Sequence, residues 1–281
     1  MSTLRENSIL VRLKLSAWTG VICDRKVSDS IDHTYKTFGK AGKYKKFLVA
    51  EEEIKKINKR FSAINTFHRY NTVPWLDDGV RILPIDNHLN YMKEIKQLKA
   101  KLNDEVDSFC NKYSQLIEDS KMRLGEMFSD SDYPSVSTIR AKYGAELTMF
   151  PIPSSEDFRV KVDEESLTTM KQELESKLKM AHAEAMKDVW TRLYNVVKHM
   201  SDKLNNRNSK FKNSLVDNIS ELVEILPKLN LNNDPNLKAF TSDVKNKLTK
   251  CDPEDLRTDE NERAKVAKEA SDIMNKMKGF I

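Results

Sequence analysis

The sequence predicts a mainly α protein: a long antiparallel, coiled-coil-like helical hairpin with a small β-sheet at one end and a C-terminal helical subdomain. Two amphipathic stretches carry the prediction. From Asp163 to about Asn206 an apolar residue recurs at every third or fourth position: Leu167, Met170, Leu174, Leu178, Ala181, Ala185, Val189, Leu193, Val196, Met200 and Leu204. From Asp86 to Phe128 the same spacing runs through Met92, Ile95, Leu98, Leu102, Val106, Phe109, Tyr113 and Leu116. Both are single helix faces, the later one close to an eleven-residue repeat. At 1.5 Å per residue the later helix would run about 60 Å, longer than a small compact domain is wide. Its stripe therefore needs another long helix, from this chain or a second subunit, and the two stripes are natural antiparallel partners. Composition agrees: 32% charged residues, 8% aromatic, 7 Gly and 8 Pro among 281 residues suit helices better than a sandwich or a doubly wound sheet.

The elements follow in order. From Ile9 to Trp18, apolar and polar residues alternate, which is the period of a half-buried strand, and Gly20 ends it. A short helix is predicted from Ser28 to Phe38, then a glycine-punctuated basic loop from Gly39 to Lys46. A helix from Ala50 to about Phe67 follows, with Ile54, Ile57, Phe61 and Ile64 on one face. Between Tyr70 and Pro84 two prolines and the Asp78-Gly79 step predict a tight turn, possible as a small hairpin whose first arm Pro74 confines to an edge. After the first long helix come a short helix around Ile139 and extended segments at Glu146 to Ile152 and Asp157 to Val162, which with the N-terminal strand form the small sheet. Beyond the second long helix, shorter helices are expected over Phe211–Leu226, Leu237–Lys250 and Asp255–Met277. They are separated at Pro227, Asn232 to Pro235 and Asp252-Pro253, because proline lacks a backbone donor and restricts the residue before it. The division read from this pattern is 1–206 for head and hairpin and 207–281 for a C-terminal subdomain or docking arm.

The three cysteines, Cys23, Cys110 and Cys251, are odd in number and widely spaced, suggesting neither a disulfide framework nor a structural zinc site. The N-terminus has no signal-peptide core and no window has eighteen uninterrupted apolar residues, so a cytosolic protein with no membrane partner is expected. The net charge of +5 is uneven: residues 1–60 carry +7 and the remainder −2.

That surplus points to the first candidate site. Lys36 to Lys46, KTFGKAGKYKK, holds five lysines, no acid, and Phe38 and Tyr44. Lysines can hold phosphates while a ring stacks on an exposed base, which is the chemistry of nucleic-acid binding. The candidate residues are Lys36, Lys40, Lys43, Tyr44, Lys45, Lys46, Lys55, Lys56, Lys59 and Arg60; an ordinary solvated loop is the alternative reading. The GKAGK string lacks the Gly-x-x-x-x-Gly-Lys-Ser/Thr pattern of an NTPase loop. The second candidate is the segment holding His68, Asn71, Trp75, Asp77, Asp78, Gly79 and Arg81. Two carboxylates beside a histidine could ligate a metal or move protons, yet Asp-Asp-Gly is equally what a turn needs, and Trp75 reads as a packing anchor. The third is the helical seam: Ile95, Leu98, Leu102 and Phe109 on one helix, Leu174, Leu178, Ala185, Leu193 and Met200 on the other. No nucleophile elbow, zinc-protease or Cys-x-x-Cys motif is present, and no catalytic residue, metal or cofactor is predicted.

The strings Leu15-Ser-Ala-Trp-Thr-Gly20, Ala41-Gly-Lys-Tyr44, Phe67-His-Arg-Tyr-Asn-Thr-Val-Pro-Trp-Leu-Asp-Asp-Gly79 with Arg81 and Pro84, Asp132-Tyr-Pro134 and Asp157-Phe-Arg159 occur in that order. In this series, over roughly residues 5 to 205, the chain resembles a function-unassigned family of tailed phages and integrative mobile elements. The resemblance implies a setting: members are encoded near MoxR-type AAA+ ATPases and proteins with von Willebrand A-like domains, or near phage DNA-processing genes. It supplies no catalytic residues and implies the host bacterial cytoplasm as location. Three functions are therefore expected in order. The first is a non-enzymatic, self-associating phage scaffold or adaptor, for example for an AAA+ ATPase. The second is an accessory protein binding single- or double-stranded DNA through residues 36–60. The third, least favoured, is a metal-dependent enzyme using His68, Asp77 and Asp78.

Overall fold

The computed structural model describes residues 2–76, 79–154, 156, 163–206, 209 and 212–280. In chain order the elements are α1 (Ser2–Asn7), β1 (Ser8–Ser16), β2 (Val21–Asp24), α2 (Arg25–Thr34), β3 (Tyr44–Phe47), α3 (Glu51–Tyr70), β4 (Val73–Pro74), β5 (Val80–Pro84), α4 (Ile85–Leu124), α5 (Val136–Lys142), β6 (Gly144–Phe150), α6 (Glu164–Asn205), α7 (Ser214–Leu229), α8 (Pro235–Leu248), α9 (Asp255–Thr258) and α10 (Glu260–Met277). The mainly α class, the long helices and the small antiparallel sheet are as the sequence predicts. The expected strand at 157–162 lies outside the described residues, as do Asp77 and Asp78.

Two compact units share the chain. Unit I comprises residues 1–12, 69–91 and 148–281, and unit II comprises residues 13–68 and 92–147.

Unit I is organised by α6. Asp163 caps it by accepting the Ser166 N–H at 2.8 Å, in place of the hydrogen bonds a first helical turn lacks. Its buried residues include Leu178, Ala181, Ala185, Met186, Val189, Trp190, Leu193, Val197, Met200, Ser201 and Leu204. The adjacent pairs 185/186, 189/190 and 200/201 widen the stripe beyond a two-helix seam, and α6 accordingly packs on α7, α8, α10 and β4. The core continues through Ile219, Leu226, Val244 and Ile273 and takes in Leu4, Leu10, Val73 and Ile82. Strand order is β4-β5-β1-β6, with Leu10 opposite Ile82 and Val73 opposite Ile82 on its other side. Pro74 sits on the edge strand, where its missing donor costs no ladder bond.

Unit II is built around aromatic rings. Trp18 lies 6.0 Å from both Phe109 and Tyr113, and Phe61 and Phe109 each lie 6.3 Å from Tyr143, whose hydroxyl donates to the Trp18 carbonyl at 3.3 Å. Arg60 pairs with Glu105 at 3.1 Å and Arg140 with Asp107 at 2.8 Å. Strands β2 and β3 form a separate antiparallel ribbon in which Cys23 faces Lys45 and Ile22 faces Lys46. Gly20, just before it, has φ +67°, and a Cβ there would lie 3.1 Å from Ile54.

Three expectations need correction. The seam residues are shared between two cores: Ile95, Leu102 and Phe109 are buried in unit II with Leu98 half-buried, whereas Leu178, Ala185, Leu193 and Met200 are buried in unit I with Leu174 half-buried. Periodicity identifies a face to be covered and leaves the covering element open. The C-terminal helices share one core with α6, so compactness does not follow a boundary near residue 206. Pro227 does not end α7, which continues to Leu229; it lies in the last turn, beside the buried Ile225, Leu226 and Leu229 that hold the helix down. The segment read as a basic loop also ends in strand β3, and α1 and β2 were not foreseen.

Candidate functional site

The basic segment divides once its neighbours are in place. Lys46 is 5% exposed and pairs with Asp24 at 2.8 Å and Asp132 at 2.7 Å, while donating to the Met127 carbonyl at 2.9 Å. Burial works against the ammonium charge, but the hydrogen bonds that Lys46 donates to Asp132 and Asp24, with their negative charge, together outweigh it and raise the Lys46 pKa. The same bond from Lys46, then the Val27 N–H, lowers that of Asp24. Lys46 is therefore a buried clamp and is withdrawn from the nucleic-acid candidates. Tyr44 is half-buried on the same side of β3, with its hydroxyl 4.0 Å from the Met127 sulfur, and is withdrawn as a stacking ring. On α3, Lys55 pairs with Glu51 at 3.1 Å, Lys56 with Glu53, and Arg60 with Glu105, so these cations are already neutralised.

Lys36, Lys40, Lys43, Lys45 and Lys59 are exposed and have no carboxylate partner among the described residues. The first four belong to one continuous stretch. It leaves α2 at Tyr35, which is 76% exposed, passes Phe38, which is fully exposed, and enters β3. The alternation of a strand puts Lys45 and Phe47 on the exposed face and Tyr44 and Lys46 on the other, with Lys43 exposed just before it. The loop has a fixed path. Asp32 accepts from the Thr37 hydroxyl at 3.1 Å and the Ala41 N–H at 3.2 Å, and its carbonyl accepts from the Thr37 N–H at 3.0 Å. The Ser28 hydroxyl accepts from the Tyr44 N–H at 2.9 Å, and Gly39 supplies a positive φ of 82°. Helix α2 itself buries none of its residues. Tyr35 was missed by sequence reasoning; the signal available was the Val27, Ile31, Tyr35 stripe at four-residue spacing on an otherwise polar helix.

The Asn-Thr-x-Pro-Trp segment has a different fate. The Arg81 Nε donates to the Thr72 hydroxyl at 2.7 Å, and its Nη2 to the carbonyls of Thr72 at 3.0 Å and Arg69 at 3.4 Å. Arg192 from α6 donates to Tyr70, Arg69 and Thr72 carbonyls at 2.9, 3.1 and 2.8 Å, and pairs with Asp188 at 2.6 Å. Two guanidinium forks thus satisfy the carbonyls that α3 leaves open at its C-terminus. Burial, then repulsion from Arg192, pushes the Arg81 pKa down to about 10. The Asn87 amide donates to the Asn71 carbonyl and side-chain oxygen, both at 3.1 Å. Trp75 packs against the unit I core, Gly79 is exposed beside β5, and His68 is buried on α3 in unit II. The described part of this segment is a structural junction. Among the described residues no three His, Cys, Asp or Glu side chains converge on a metal-sized site.

Two open recesses lie elsewhere. One of about 290 Å³ between α7 and α8 is lined by Val223, Leu226 and Leu237. The other, about 420 Å³, is lined by Arg257 and Arg263, whose guanidinium donors go to Asn213, Glu254 and the carbonyls ending α6. Neither gathers an acid, base and nucleophile. No described helix is long and apolar enough to cross a membrane.

No family model, curated protein or solved structure matches this chain.

Proposed function

We propose that this chain is a non-enzymatic nucleic-acid-binding accessory protein, acting through the Tyr35 to Lys45 surface of unit II. The supporting observation is the coincidence, on one stretch held by Asp32, of four lysines without carboxylate partners among the described residues and two rings turned to solvent. Exposed ammonium groups release counterions from a phosphate backbone, the largest sequence-independent contribution to such affinity. Resemblance to the phage and mobile-element family supplies the setting, DNA processing in a bacterial host.

The test is fluorescence anisotropy with a labelled oligonucleotide at about 50 and 200 mM salt, comparing the wild type with a variant carrying Lys36→Gln, Lys40→Gln, Lys43→Gln and Lys45→Gln. Binding should weaken with a log–log salt slope of about −3, from roughly 0.7 to 0.9 per neutralised phosphate, and vanish in the variant. No binding by the wild type at low salt would reject the proposal.

A second reading, an adaptor for a protein partner such as an AAA+ ATPase, rests on α2. This amphipathic helix leaves Ile31 42% exposed and buries no residue, so Val27, Ile31 and Tyr35 offer an uncovered apolar face. The scaffold reading through the long seams is less favoured, because Ile95, Leu102, Phe109, Leu178, Ala185, Leu193 and Met200 are buried within the single chain. Replacing Ile31 by Asp should abolish capture of such an ATPase without altering oligonucleotide binding.

A further inference from the structure

We infer that the strand bound on the Tyr35 to Lys45 surface is unpaired, with bases stacked on Phe38 and Tyr35 and phosphates held by Lys36, Lys40, Lys43 and Lys45; this rests on the nucleic-acid reading above. The rings carry the distinction. Phe38 is fully exposed and Tyr35 76% exposed, and neither meets another ring among the described residues. An aromatic face open to water is a platform for any base whose own face is free, and only an unpaired strand offers such bases without unstacking. A duplex offers base faces only after a step has been opened.

Charge is distributed unevenly around the rings. Helix α2 carries exposed Arg25 and Lys26 in its first turn, Asp29 on its exposed surface and Asp32 turned into the loop, a mixed surface, whereas from Tyr35 to Phe47 the exposed charges are all positive and lie on the loop and beside the exposed face of β3. There Lys43 and Lys45 are two residues apart, about 6.6 Å along the strand, close to the step between phosphates in an extended single strand. Phe47, 45% exposed, continues the same face and offers a third ring. The fixed loop path matters as well: with Thr37, Ala41 and Tyr44 tied to Asp32 and Ser28, less order has to be imposed on binding.

The experiment uses the full chain, labelled oligo(dT) and oligo(U) of about 20 nucleotides and a mixed-sequence duplex of the same length. Anisotropy is read at one low salt concentration, and mass is followed by light scattering. The single strands should bind at least about tenfold tighter than the duplex. Phe38→Ala and Tyr35→Ala should each weaken single-strand binding by roughly five- to a hundredfold, leaving the salt slope unchanged, while Tyr35→Phe retains affinity. If neither strand nor duplex binds, the nucleic-acid reading itself fails. If both bind equally and only the lysine substitutions matter, the reading stands and the unpaired-strand inference is overturned. If the wild type is a dimer without nucleic acid and Phe38→Ala makes it a monomer, the rings serve a second copy and the inference is likewise overturned.

Discussion

Residues 35–45 and residues 68–81 are alike on paper, each a short mixture of aromatic and charged side chains, yet the fold uses them in opposite ways. In the second, two arginine forks meet carbonyls at the end of α3, and Trp75 packs on the core. In the first, Lys36, Lys40, Lys43 and Lys45 meet no acid among the described residues while Lys46 meets two. A cation is available to a ligand when the fold leaves it no partner; its residue type alone decides little.

The largest effects should come from the buried cations. Lys46→Met leaves Asp24 and Asp132 facing each other without a counter-charge and should cost about 3 kcal/mol in urea unfolding, because removing one member of a buried pair strands the other. Arg81→Met should cost about 2–3 kcal/mol by removing buried charge-assisted hydrogen bonds to the Thr72 hydroxyl and carbonyl. If Lys46→Met unfolds like wild type but loses oligonucleotide binding, the contrast collapses and Lys46 belongs to the surface. The same clamp has a pH signature. Asp24, lowered by Lys46, adds stability that is present above its unfolded pKa and lost as pH falls through the lower folded value. Lys46, raised, adds stability that is present below its unfolded pKa and lost as pH rises through the higher folded value. Unfolding followed against pH should therefore show losses on the acid side below about pH 4 and the alkaline side above about 10, and Asp24→Asn should remove the acid arm.

Gly20→Ala should destabilise by about 1–2 kcal/mol, since a left-handed backbone disfavours a side chain and the new Cβ crowds Ile54. Wild-type stability in this variant would mean that the turn before β2 can relax. The smallest effect should come from the four exposed lysines, whose replacement by Gln should change stability by no more than about 0.5 kcal/mol. A larger loss would show that these lysines, too, have a structural partner.

Much of this fold was legible because hydrophobic period reports which face must be covered. Ile54, Ile57, Phe61 and Ile64 are all buried, both long helices end within a few residues of expectation, and Pro74 lies on an edge. What covers a face was not legible: α6 packs on α7, α8 and α10, a choice made by tertiary packing that period alone does not encode. The lysine run was legible as five lysines without an acid, but not which of the candidate residues the fold would occupy: Lys46 and Tyr44 turn inward, and Lys55, Lys56 and Arg60 meet carboxylates. Lys46 is buried through Asp132, 86 residues away, a distance over which no local pattern extends. Tyr35 escaped notice because it stands outside the lysine run, at the end of a helix that buries nothing.

Four elements, β1, α3, α4 and β6, begin in one compact unit and end in the other. During synthesis the whole of unit II, residues 13–68 and 92–147, emerges before any of α6 to α10. Unit I must wait: Leu4, Leu10, Val73 and Ile82 share a core with Ile273 and Met277, so that core cannot be complete before α10 has been made. Until then the apolar residues of β1 and β5 lack part of their cover.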